Sequence, residues 1–179
     1  MTLTDQLVAE LGDPGLEQLA GMLGTDPATV REVLRAATGV VVAGMVRSSE
    51  HPDGAEALRG ALDDHVDADP FNGDVATLAR DGQNILAHVL GGQGADHAAD
   101  ALADLTGLDS AALVKVLLLL APMVMSLLAD RAERAGMSTQ DMTAELRRER
   151  AAVPAALEPL LADLLGAPSS PTRSPHAEW

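Results

Sequence analysis

From residue 111 to residue 129 the chain is apolar at nearly every position. Such a segment has to leave water, and it has two places to go. A bilayer-spanning helix needs about 20 consecutive apolar residues. Lys115 and Pro122 lie inside this run, and no basic cluster flanks its start. Those features favour the interior of a folded protein over a membrane. The rest of the chain must then cover the run. With 179 residues, 47% hydrophobic and 22% charged, it has a globular composition and the length for one domain with a substantial core.

Everything periodic in the chain reads as helix. Ala and Leu dominate, and no sustained period-2 alternation of β-branched residues calls for a strand. The expected class is therefore an all-α, multihelical single domain. Thr4 is placed to cap a short helix ending near Leu11, with Gly12 as its stop. A second helix covers residues 15–23 and stops at Gly24. Asp26 then caps a long helix whose first residue is Pro27. Its apolar positions Val30, Val33, Leu34, Ala37, Val41 and Met45 are three or four apart, and from Val40 to Val46 it is apolar nearly all round. Further helices are expected over 52–64, 75–80, 84–90, 96–105, 110–135, 139–153 and 154–165.

A repeat runs through this pattern. Leu19-Ala20, Gly24, Asp26, Ala28, Val33 and Leu34 recur in register at Leu102-Ala103, Gly107, Asp109, Ala111, Val116 and Leu117 without a gap. Each copy reads as a short helix, a Gly stop, an Asp cap and a long apolar helix. Upstream, the segment ending at Gly12 resembles the one ending at Gly91. The expected organisation is a first helical repeat unit over 1–66, an acidic linker with a short helix over 67–83 and a second unit over 84–153. An amphipathic helix over 154–165 and a disordered Pro/Ser-rich tail over 166–179 follow. Two such units would pack about a pseudo-twofold axis with the two long helices buried and in contact. Gly39 and Pro122, at equivalent positions, would mark a close crossing and a kink.

Composition excludes several kinds of chemistry. With no cysteine there is no disulfide scaffold, Cys-based zinc site or thiol nucleophile. A net charge of −15 opposes nucleic-acid binding and adsorption to anionic membranes. Phe71 and Trp179 are the only aromatics, so base-stacking platforms cannot be built. No basic n-region or apolar h-region follows Met1, which makes the cytoplasm the expected location. No phosphate-binding glycine loop, nucleophile elbow or paired-histidine metal motif occurs, and no enzyme or cofactor is expected.

Three motifs remain as candidates. Residues 16–38 resemble the turn region of a helix-turn-helix, with Thr29, Arg31 and Arg35 facing a DNA groove. The repeat equivalents of these three, Ala112, Val114 and Leu118, are apolar, so the turn is better read as core-building in both copies. The acidic segment 63–74 fails as a calcium loop, because Phe71 and Asn72 stand where a ligand and glycine are needed; it reads as a solvated linker. His88, among Ile85, Leu86, Val89 and Leu90, reads as a hydrogen-bonded histidine at the edge of the core.

At this point a family resemblance emerges. Asn84-Ile85-Leu86-Ala87-His88-Val89-Leu90-Gly91 is similar to the ILGHLFG segment of the bacterial YidB-like family. Thr106-Gly107-Leu108-Asp109-Ser110 and the stretch from Leu117 to Met125 are similar to its GLDS and LAPLVMG segments. The likeness covers residues 4–130, with Ala87 and Ser126 where the family has glycine. It implies a multihelical fold with buried central helices; it implies little about function and offers no catalytic residues to carry over.

The reading reached is a non-catalytic module acting through protein contacts, either with another protein or by self-association through helices. Leu157, Leu160, Leu161 and Leu164 form an apolar stripe that either its own domain or a partner must cover. The alternatives are a DNA-binding regulator using residues 16–38 and an envelope-associated protein inserting the helix after Asp109.

Overall fold

In the computed structural model, described for residues 1–66, 69–71 and 74–165, all regular structure is helical. The order is Leu3–Leu23 (α1), Pro27–Ser48 (α2), Pro52–Asp63 (α3), Val75–Leu90 (α4), Gly94–Thr106 (α5), Ser110–Ala135 (α6), Thr139–Ala151 (α7) and Glu158–Leu165 (α8). A 3-10 turn, Ala155–Leu157, leads into α8. The chain is an all-α single domain.

Local chemistry sets most of the helix starts. Asp26 and Asp109 cap α2 and α6 by accepting the N–H groups of Thr29 and Ala112. The cap of α1 is Thr2 rather than Thr4, because Asp5 closes a capping box with Thr2. Gly24 and Gly107, both left-handed, end α1 and α5. Gly12 (φ 62°, ψ −177°) and Gly91 (φ 90°, ψ 170°) occupy a second region that is essentially closed to other residues. The expected break at Gly12 is thus real, but it is a kink within α1. No such break divides α4, which runs unbroken through residues 81–83, so the expected edge of the second unit at residue 84 falls inside a helix.

The long helices α2 and α6 form the centre and touch each other. Val41 and Val124, at their midpoints, are completely buried. The rest of the core wraps them: α1 lies on both, α4 and α5 lie on both, α3 lies on α6 and α7, and α7 lies on α2.

Two glycines allow the closest approaches. A Cβ on Gly82 of α4 would lie 1.7 Å from the Leu118 carbonyl oxygen of α6. That carbonyl is four residues before Pro122, which has no N–H to offer it. The proline and glycine therefore work as a pair: one leaves a carbonyl without its usual partner, the other lets a neighbouring backbone sit against it. A Cβ on Gly44 of α2 would lie 2.8 Å from the Val89 carbonyl oxygen of α4. Gly39 faces Val153 beyond α7, 3.2 Å from its would-be Cβ, so the neighbour that needs the missing side chain is not α6.

The apolar run lies in α6, a helix long and apolar enough to cross a membrane by length and composition. In this fold 61% of its most apolar window is buried by the protein itself, and Lys115 is exposed.

Candidate functional site

The C-terminal leucine stripe is covered by its own chain. Leu157 and Leu161 are buried, and Leu160 and Leu164 pack half-buried against the core, because α8 rests on α2 and α5. Of the two ways to cover the stripe, this structure shows the first, with Leu160 and Leu164 left half-buried.

The turn between α1 and α2 exists as the sequence suggests, yet its polar residues are engaged locally. The Thr29 hydroxyl donates to the Asp26 carboxylate, and Arg35 pairs with Glu32 at 3.1 Å. Arg31 and Arg35 are exposed, and the Glu32 carboxylate occupies Arg35. Between Val33 and Met45 every residue of α2 except Arg35 is buried, so the helix is a core element. The equivalents Ala112, Val114 and Leu118 are half-buried against the core.

Other expectations shift in place. His88 is exposed rather than at the edge of the core, since Ile85, Leu86 and Val89 turn the opposite face of α4 inward. Within the acidic segment Pro70 is buried and Phe71 packs half-buried on the core, so the linker is tucked in rather than wholly solvated. Residues 67, 68, 72 and 73 of that segment, and the tail 166–179, lie outside the described residues. Among the described residues no three His, Asp or Glu side chains gather as a metal site.

The most developed polar cluster was not legible in the sequence. It forms where the start of α1, the end of α6 and the last turns of α7 meet. Arg131 on α6, with a side chain 15% exposed, donates to Glu145 at 2.6 Å and to Glu149 at 2.7 Å. It also donates to the Gln6 side-chain carbonyl and, at 3.3 Å, to the Met1 carbonyl. The second oxygen of Glu149 accepts the Leu3 N–H at 2.9 Å, serving an otherwise unpaired amide at the start of α1. A guanidinium cannot give up its proton, and here it is occupied by four acceptors. The arrangement clamps three helices rather than poising a reactive group.

Two clefts flank the clamp. One, about 290 Å³, lies between Gln6 and Glu10 of α1 and Leu127, Asp130 and Arg134 of α6. The other, about 150 Å³, lies between α2 and the end of α7. Beside it Thr38, 2% exposed, carries a buried hydroxyl with no hydrogen-bond partner.

Charge is distributed unevenly over this scaffold. Between Glu50 and Asp109 the sequence has thirteen acidic residues and two basic ones, eleven of the fifteen net negative charges. Asp53, Glu56, Asp81, Asp96, Asp100 and Asp104 stand exposed on α3, α4 and α5.

The fold and these features define a helical protein with a polar clamp at Arg131 joining three helices. Residues 5–131 match the model of a family described as bacterial protein of unknown function (DUF937), and the chain belongs to that family. No curated protein and no solved structure matches the chain.

Proposed function

We propose that this is a YidB-like, non-catalytic module that works through protein contacts, presenting the acidic faces of α3, α4 and α5 to a basic partner. The observation that carries this reading is the excess of exposed carboxylates on α3 and α5, with only Arg59 among them, to which α4 adds Asp81 beside an exposed Arg80. An excess of exposed charge of one sign steers an oppositely charged partner into contact and repels nucleic acid. The core-forming helices α2 and α6 supply a rigid base for it.

The same reading includes an internal duplication. Support comes from the matched devices Gly12 and Gly91, Gly24 and Gly107, and Asp26 and Asp109. Packing adds to it: α3, which follows α2, lies on α6 as well as on α2, and α7, which follows α6, lies on α2.

The test is capture from a bacterial lysate with the full chain, beside a variant carrying Glu56→Gln, Asp81→Asn, Asp96→Asn and Asp104→Asn. These positions are exposed, where substitution usually leaves stability within about 0.5 kcal/mol. The expected result is a basic protein retained at low salt by the natural chain and lost by the variant. Equal retention by both, or none by either, would refute the acidic-face reading.

A further inference from the structure

We propose that α7, the 3-10 turn and α8 form a strap that opens as a unit while the α1–α6 body stays folded, with Arg131 as its clasp. The strap spans residues 139–165 and lies wholly beyond the family-matched residues 5–131. It fully buries Met142, Leu146, Leu157 and Leu161 and no other residue, whereas α2 is buried almost continuously from Val33 to Met45. Segments with few buried apolar groups open locally at lower free energy than the core they cover.

The seat beneath the strap is imperfect. Arg35, Thr38, Gly39 and Val42, on one face of α2, line the 150 Å³ cleft under the end of α7. Val153 touches Gly39, yet the Thr38 hydroxyl beside it is left without a partner. A well-fitted contact would fill the space and satisfy the hydroxyl. Beyond its four buried apolar side chains, the strap is held by polar groups at one corner, where Glu145 and Glu149 grip Arg131 and Glu149 takes the Leu3 N–H. Within the strap, Glu158 and Arg150 make a two-point pair at 2.6 and 2.8 Å that joins α7 to α8, so the two helices would leave together.

Amide hydrogen exchange on the full chain tests this. In the natural protein, amides of residues 139–165 should exchange at least about tenfold faster than those of residues 40–45 and 116–129, as sub-global opening requires. Glu145→Gln, which weakens the clasp from the strap side alone, should speed exchange in 139–165 several-fold and leave α2 and α6 unchanged. Arg131→Met should do the same more strongly, with added loosening of the first residues of α1. Exchange of the strap at the same rate as α2 and α6, or a uniform rise across all helices in both variants, would overturn the proposal.

Discussion

At Gly82 a single hydrogen atom decides whether two helices can meet. Because a Cβ there would sit 1.7 Å from a backbone oxygen, Gly82→Ala forces α4 away from α6. A core clash of this kind costs on the order of 3 kcal/mol or more. Gly60 in α3 is the contrast, with nothing within 4 Å of its would-be Cβ. Gly60→Ala should stabilise by roughly 0.5–1 kcal/mol through helix propensity. Urea denaturation of the two variants should therefore move the midpoint in opposite directions. The caps titrate as well. Backbone and side-chain hydrogen bonds from Thr29 hold Asp26 below the usual carboxylate range, and those from Thr2 and Ser138 do so for Asp5 and Asp141. A carboxyl with a lowered folded pKa stabilises above its unfolded pKa and loses that contribution as pH falls through the folded value. Melting temperature should therefore decline from about pH 5 toward pH 2. Asp26→Ser, which caps without titrating, should flatten part of that decline; an unchanged slope would contradict the cap assignment. The cap at Asp26 was legible because it acts over three residues. The Gly82 contact was not, because its partner lies on another helix and the sequence shows only a glycine inside a helical pattern.

Among the elements, α2 and α6 were read correctly because all-round apolar character has one soluble solution, central burial. The split expected within α4 failed because the glycine at its centre serves packing rather than chain reversal. The clamp at Arg131 joins residues more than a hundred positions apart at Gln6 and fourteen apart at Glu145, a spacing with no local signature. The role of α2 as a core helix has a direct consequence for DNA. With Arg35 paired to Glu32, no sequence-selective mobility shift should appear with genomic fragments near physiological salt. A selective shift abolished by Arg31→Ala and Arg35→Ala would restore the helix-turn-helix reading. At the other end of the chain, stopping translation after Val153 removes α8 and uncovers its seat on α2 and α5. Burial of Leu157 and Leu161 is worth together roughly 3–6 kcal/mol. At about 2–4 °C per kcal/mol for a chain of this size, the melting temperature should fall by on the order of 10 °C. No change would mean that α8 is an appendage.

For the whole molecule, the account separates two jobs. Apolar burial in α2 and α6 holds the fold, and the exposed carboxylates of α3, α4 and α5 are proposed to meet the partner. The fold class was legible from hydrophobic period, and the net charge from composition. Which carboxylates stand exposed was not, because it depends on which helix faces point outward. The central claim is tested most directly by carboxyl-to-amine coupling in bacterial cells expressing the full chain, with the coupled residues located by mass spectrometry. The account predicts a lysine-rich partner joined through Asp53, Glu56, Asp81, Asp96, Asp100 or Asp104. Coupling spread evenly over the acidic residues of α1 and α7, or no coupled partner at all, would contradict it.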